Sequence, residues 1–155
     1  MAGCLLLLYG QQLSRITAMT TSQITHRGSD VLIRLSEHYI PLPDPLGTAV
    51  LQLISQGRAC TGIGSPATSP WLFPGHLPGQ PITPARLGER LRALGIYAMT
   101  GRRAALTSLA AQLPAAVLAD LLGITPGTAV RWIHHAGGDW NNYAAHIARN
   151  RPHQH

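Results

Sequence analysis

The sequence contains no lysine: its twelve basic residues are all arginine, against only six acidic residues in a chain of 155. The absence of lysine side chains excludes a Walker A phosphate loop, a Schiff-base lysine and a lysine general acid. Cysteine is almost as scarce, and the two present, Cys4 and Cys60, suffice for neither a disulfide scaffold nor a four-cysteine zinc site. These absences exclude several enzyme classes and two kinds of small structural domain.

Long apolar segments are absent as well. The longest unbroken run, from Cys4 to Tyr9, is far shorter than the roughly 20 residues of a bilayer-spanning helix, and no cationic segment precedes it as a secretory signal would require. The eight histidines are not spaced as zinc ligands, since His134 and His135 are adjacent and cannot share a helix face. We therefore expect a cytoplasmic protein with no membrane partner, metal site or other cofactor.

The arginines are unevenly distributed along the chain. Residues 1–80 carry four arginines against three acidic residues, whereas residues 81–155 carry eight against three, and the net charge is +6. A basic half with few acidic partners predicts binding to a polyanion. The alternative is an ordinary soluble protein in which arginine has replaced lysine through codon bias.

Local patterns predict a mixed first half of the chain. Residues 4–24 have apolar positions at helical spacing with a break near their middle, and residues 25–43 alternate β-prone segments with polar turns, as in a small antiparallel sheet. A capped helix follows over residues 44–56. Residues 57–84 are too rich in glycine and proline for a regular element and form a long loop, with residues 71–73 as an apolar anchor.

The second half is predicted to be helical. Residues 83–150 are basic and carry successive helix start and stop signals, and residues 151–155 form a frayed tail, so that one domain spans residues 1–150. The expected helices cover residues 83–95, 102–112, 114–123, 125–135 and 139–149. The fold class is therefore mainly α with a small antiparallel β-sheet.

Residues 117–135 have the layout of a helix-turn-helix motif. Gly123 stands where the turn needs a left-handed residue, and Thr125 caps the second helix. Thr128 and Arg131 then project from one face, as base and phosphate contacts do on a recognition helix. The alternative is an ordinary helix pair joined by a glycine turn.

Five segments occur in an order that resembles the catalytic domain of the tyrosine recombinase (phage integrase) family, over roughly Leu5 to Tyr143. The resemblance implies a mostly helical fold with a small antiparallel sheet and a concave surface that faces DNA. The segments are the opening helix at Leu5–Gly10 and Leu13–Ala18, the hairpin at 25–43 that ends in Ile40-Pro41-Leu42, Trp71–Pro74, Arg102–Leu109, and Leu121–Gly123.

The active site that the resemblance implies is degenerate. The family uses a tyrosine nucleophile, two arginines on the scissile phosphate, two histidines or similar residues, and a hairpin lysine. Matched position by position, only Arg102 remains: Met99 and Ile124 occupy the histidine positions and Ile133 the tyrosine position. Arg15 lies one step from the first arginine position, on another helix face, and is a poor substitute. Tyr143, ten residues beyond the usual position, is the one tyrosine that could replace the nucleophile.

Three functions follow from these observations. The first is a non-catalytic protein that binds double-stranded DNA in the nucleoid. The second is an active or conditionally active recombinase that uses Tyr143 or a tyrosine from another subunit. The third is an interaction module that has lost DNA binding and docks proteins through its C-terminal helix, which is also the expected contact of a homo-oligomer. The missing lysine, histidines and tyrosine argue against the second, and the arginine surplus argues against the third. The expected DNA contacts are Arg86, Arg90, Arg102, Arg103, Thr125, Thr128 and Arg131.

Overall fold

The computed structural model describes residues 1–57, 69–77 and 79–137, and within these residues the backbone forms seven α-helices and three strands. This confirms the expected fold class, mainly α with a small antiparallel sheet. In chain order the elements are α1 (Ala2–Tyr9), α2 (Leu13–Thr17), β1 (Ile24–Arg27), β2 (Asp30–Arg34), β3 (Tyr39–Pro41), α3 (Asp44–Gly57), α4 (Pro84–Ala93), α5 (Ala98–Gln112), α6 (Ala115–Leu122) and α7 (Pro126–His135).

The sheet is a three-stranded antiparallel meander with β2 in the centre. Ile33 of β2 lies opposite Ile24 of β1 and Ile40 of β3, and it is fully buried. Val31 is buried on the same face of the strand, as the two-residue period of a strand requires. Helix α3 covers that face so closely that a Cβ atom at Gly47 would lie 3.1 Å from the Val31 side chain.

The described residues form two apolar clusters that meet at the end of α1. The first joins α1, α2, the sheet, α3 and α4, and it includes Leu72 from the predicted apolar anchor, which is buried as expected. The second joins α5, α6 and α7 around Leu106 and Leu118. Tyr9, the last residue of α1, packs against both clusters. The end of α1 is therefore the junction between the sheet-bearing half and the helical half.

Helix α5 begins four residues earlier than its expected start at residue 102. Gly101, expected to precede the helix, lies inside it, and a Cβ atom there would lie 2.8 Å from Cδ2 of Leu7. The glycine is therefore a point of close approach between α1 and α5 rather than a helix breaker. This approach brings the start of α5, and with it Arg102, against the end of α1.

The predicted break in the first helix and the predicted turn near residue 123 are both present. Gly10 ends α1 in a left-handed conformation, and α2 begins at Leu13. Gly123, with a φ of 63°, ends α6 in the same way, and Thr125 caps α7. The predicted helix at 139–149 and the tail at 151–155 lie outside the described residues.

Candidate nucleic-acid interface

A cleft of about 310 Å³ opens where the two clusters meet. It lies between the α1–α2 break, the start of α5 and the turn that joins α6 to α7. The lining residues contain two arginines and two threonines but no carboxylate. They are Gly10, Gln11, Gln12, Arg15, Arg102, Gly123, Ile124, Thr125 and Thr128.

Arg102 enters the cleft from the first turns of α5. Its Nε donates a hydrogen bond to the carbonyl oxygen of Gly10 at 2.8 Å, which ties α5 to the end of α1. Burial, and after it the positive charge of Arg15, lower the pKa of Arg102. The group nevertheless stays charged, because a guanidinium does not lose its proton in proteins. The cleft therefore contains a partly desolvated cation next to a second one.

Arg15 enters the same cleft from α2 and is held by backbone carbonyl groups. Its Nη1 donates to the carbonyl oxygens of Leu122 at 2.7 Å and Gly123 at 3.2 Å, and its Nη2 donates to that of Leu35 at 3.1 Å. The first two carbonyls end α6, where the helix dipole favours a cation. One guanidinium thus joins α2, the end of β2 and the end of α6.

The turn between β2 and β3 strengthens this junction. The hydroxyl of Ser36 donates to the backbone oxygen of Asp120, and His38 Nε2 lies 3.3 Å from the Asp120 carboxylate. Gly123 is required at the junction for a steric reason as well as for its left-handed backbone. A Cβ atom on it would lie 2.8 Å from Nη2 of Arg15 and 3.2 Å from Cβ of Ser36.

The expectation that Arg15 is a poor substitute on another helix face is wrong with respect to position. Arg15 lines the same cleft as Arg102. The predicted break is present, and Arg15 lies on the separate five-residue helix α2; the expectation did not include the carbonyl groups at the end of α6 that hold its guanidinium at the cleft. Sequence patterns give no signal for this orientation, because the carbonyl partners at Leu122 and Gly123 lie more than 100 residues away.

The first turn of α7 forms the opposite side of the cleft. The hydroxyl oxygen of Thr125 accepts a hydrogen bond from the Thr128 backbone N–H at 3.3 Å, and the two threonine hydroxyls lie 2.9 Å apart. Nη2 of Arg131 donates to the Thr128 hydroxyl at 3.3 Å. Three of the expected DNA contacts are therefore connected in one row that begins in the cleft and runs onto the exposed face of α7.

Arg103 lies next in sequence to Arg102 but faces a different neighbour. It is exposed, and its Nη2 lies 2.7 Å from Nε2 of His135 on α7. His135 is not among the residues expected from the sequence to contact DNA. Its position one helical turn after Arg131, which places both on one face of α7, was the available signal.

The two expected contacts on α4 lie apart from the cleft. Arg86 and Arg90 are exposed, and neither lines the cleft. Arg86 Nη1 lies 3.6 Å from the Glu89 carboxylate, one turn along the same helix. An exposed ion pair of this kind contributes little to stability, so the charges of both arginines remain available outside the cleft.

The positions expected to carry catalytic groups offer no such groups. Met99 is 89% exposed, Ile124 lines the cleft, and Ile133 packs against the second cluster. None of the lining residues is tyrosine, histidine or lysine. Tyr9 is half-buried at the cluster junction, and burial raises the pKa of its phenol. Tyr143 lies outside the described residues.

Two kinds of feature are absent from residues 1–57, 69–77 and 79–137. No helix there is long and apolar enough to span a membrane. No group of three or more histidine, cysteine or acidic side chains there is arranged to hold a metal ion.

Comparison with known proteins identifies the fold. No protein-family model matches the chain, and no curated protein matches it. Among solved structures, it is similar to a tyrosine-to-phenylalanine variant of the Tn1549 transposon integrase in complex with transposon right end DNA, with a TM-score of 0.59 and 15% sequence identity. The similarity covers 96% of this chain and 57% of the integrase chain, so this chain spans a little over half of that protein's length. The chain therefore has the mostly helical fold, with a small three-stranded sheet, of an integrase catalytic domain.

Proposed function

We propose that this chain binds double-stranded DNA and does not cut it, with one backbone phosphate held in the cleft between Arg15 and Arg102. The observation that carries the proposal is the convergence of two guanidinium groups and two threonine hydroxyls in a cleft whose lining includes no carboxylate. The solved integrase with this fold is itself bound to DNA. The basic second half of the sequence adds charge around the same site.

The two arginines have different parts in this proposal. Within the described residues, Arg102 commits only its Nε to a protein acceptor, which leaves its Nη groups for a phosphate. Arg15 already uses three of its donors on carbonyl oxygens, so it contributes mainly fixed positive charge. A phosphate would relieve the repulsion between the two cations and accept charge-assisted hydrogen bonds from Arg102.

The remaining expected contacts surround the cleft. The hydroxyl groups of Thr125 and Thr128 would donate hydrogen bonds to the same or the adjacent phosphate, and Arg131 continues the row along α7. Arg86 and Arg90 on α4 would act only through their charge. Phosphate contacts of this kind position the protein on the duplex without reading its sequence.

The proposal that the bound strand stays uncut rests on the missing reactive groups. The chain has no lysine to protonate a leaving oxygen, and the cleft lining has no tyrosine or histidine. Tyr9 is unsuited as a nucleophile because burial raises its pKa and so disfavours the phenolate. Parts of a catalytic unit fail together, so the loss of several leaves little activity.

A salt titration tests the DNA-binding proposal. Affinity for duplex DNA should fall steeply with salt, with a log–log slope of roughly −3 to −6 if about four to six phosphates are neutralised. The double variant Arg102→Ala/Arg103→Ala should reduce the magnitude of that slope by about 2, whatever the sequence of the DNA. Ser108→Ala, an exposed change on the same helix that removes no charge, is the matched control. A flat salt response or no binding at low salt would refute the proposal.

The Arg15–Arg102 pair also favours a second function, that of a recombinase using Tyr143 or a tyrosine from another subunit. Two arginines on one phosphate are what the resemblance to that family implies. A nicked suicide substrate followed by a denaturing gel separates the two functions. We expect no covalent protein–DNA adduct. An adduct that disappears in Tyr143→Phe would establish the recombinase instead.

A further inference from the structure

Arg103 and His135 meet at the outer edge of the contact between α5 and α7. Arg103 Nη2 lies 2.7 Å from His135 Nε2, and both side chains are exposed. A guanidinium has donors and no acceptor, so the imidazole nitrogen must accept this hydrogen bond. The hydrogen bond consequently requires a His135 Nε2 that carries no proton. Protonation of that nitrogen would replace an attraction by the repulsion of two cations.

No carboxylate among the described residues is positioned to neutralise a protonated His135. Helix α7 packs against α5 and α6. The one acidic residue on these three helices, Asp120, is paired with His38 at 3.3 Å. The other ionisable side chains that the three helices carry are all basic: Arg102, Arg103, Arg131 and His134. An anion that neutralises this edge must therefore come from outside the described part of the chain.

We propose that Arg103 and His135 form a second phosphate-binding site, separate from the cleft, at which DNA binding is coupled to uptake of one proton by His135. The proposal rests on the proposed function and extends it to a second contact. When a backbone phosphate arrives, the hydrogen bond between the two side chains breaks. Nε2 of His135 takes a proton from solvent, and both groups then donate to phosphate oxygens. Arg131, one turn earlier on α7, adds charge beside them.

The coupling has a direct consequence for affinity. If bound DNA favours the protonated imidazole, then protonation favours bound DNA by the same factor. DNA affinity should therefore rise as the pH falls through the range in which histidine titrates. Arg102 and Arg131 stay charged throughout that range and cannot produce such a change.

A pH series of DNA binding tests the proposal. Fluorescence anisotropy with a labelled duplex at constant low ionic strength, between pH 8 and pH 5.5, should show the native protein binding about fivefold tighter at the acidic end. His135→Gln and Arg103→Gln should each remove most of this increase. His134→Gln, an adjacent exposed histidine on the same helix, should keep it and is the matched control. Thermal melts identify any variant that fails to fold.

Calorimetry provides a second measurement. Titration in two buffers of different ionisation enthalpy should show proton uptake on DNA binding at pH 7 by the native protein and by His134→Gln, but not by His135→Gln. An unchanged pH response or proton uptake in His135→Gln would overturn the second site and leave the proposed function intact. A native protein that binds no duplex at any pH would overturn both proposals.

Discussion

Helices α4 and α7 begin with the same Thr-Pro pair but lie in different surroundings. Each has ten residues, a threonine N-cap and proline at its first position. Thr83 and Thr125 each accept a hydrogen bond from the third backbone N–H of their helix at 3.3 Å. Both helices are basic. Yet α7 begins at the cleft with Thr125 and Thr128 in its lining, whereas no residue of α4 lines the cleft.

The surroundings of each helix, and not its number of arginines, decide which of the two reaches the cleft. The arginines of α4 extend into solvent, and one of them pairs with Glu89 of its own helix. Arg131 and His135 of α7 instead contact Thr128 and the Arg103 side chain of α5, respectively. A count of arginines favours α4, which has three, over α7, which has one. The packing of α7 against α5 and α6 places the start of α7 at the cleft, which no residue of α4 lines.

The largest effect we expect is on DNA affinity, which should fall more when an arginine of the cleft is replaced than when an arginine of α4 is replaced. Arg102→Gln should weaken duplex binding about 10- to 100-fold, because it removes charge-assisted hydrogen bonds of about 1.5–3 kcal/mol from a partly buried site. Arg90→Gln should weaken it less than about threefold, because an exposed charge is screened by water and salt. Anisotropy titrations at one salt concentration measure both. Equal losses would show that the cleft holds no phosphate.

The glycines that flank the two helices give the next comparison. Gly95 follows α4 with a φ of 77° and open space around its Cβ position, whereas Gly123 precedes α7 with a φ of 63° and Arg15 Nη2 at 2.8 Å. Gly95→Ala should cost about 1 kcal/mol or slightly more in the free energy of unfolding, from the left-handed backbone alone. Gly123→Ala should cost about 1–3 kcal/mol more than that, because the new methyl group displaces a hydrogen-bonded guanidinium.

Urea denaturation of both variants measures this difference. If Arg15 is the obstacle, Arg15→Ala should reduce the extra cost of Gly123→Ala, so the two changes should be strongly non-additive. Gly95→Ala combined with Arg15→Ala should be additive, since those sites share no contact. Equal losses for the two glycine variants would mean that the end of α6 adjusts freely and that Arg15 is not fixed there.

Most elements of the fold could be predicted because their signals are local. The Thr-Pro starts of α4 and α7, the Asp-Pro start of α3 and the glycine after α6 each act within a few residues. The start of α5 could not be predicted in this way. Gly101 has the local character of a helix breaker, and only its contact with Leu7, far away in sequence, explains its place inside the helix.

The site was predicted less completely than the fold, for a related reason. Arg102, Thr125 and Thr128 were found because they lie on motifs whose spacing is local. Arg15 and His135 contact partners that distant elements contribute, so these contacts could not be predicted in this way. A side chain whose partner is a backbone carbonyl leaves no complementary residue type in the sequence. The contacts of Arg15 with the end of α6 and of His135 with Arg103 are tertiary, and no periodicity encodes them.

The smallest expected effect compares the two N-caps, and it separates stability from binding. Thr83→Ala and Thr125→Ala should each lower the free energy of unfolding by about 1 kcal/mol, because each removes a hydrogen bond of the same length from the same position of a helix. Only Thr125→Ala should also weaken DNA binding, by about two- to fivefold for one lost neutral hydrogen bond. Paired melts and anisotropy titrations make the measurement. If Thr83→Ala weakened DNA binding as much as Thr125→Ala, DNA affinity would follow the stability of the protein. The cleft at the start of α7 would then not be the DNA contact. Because the two helices lie in different surroundings, we expect the two variants to lose the same stability and only Thr125→Ala to lose DNA affinity.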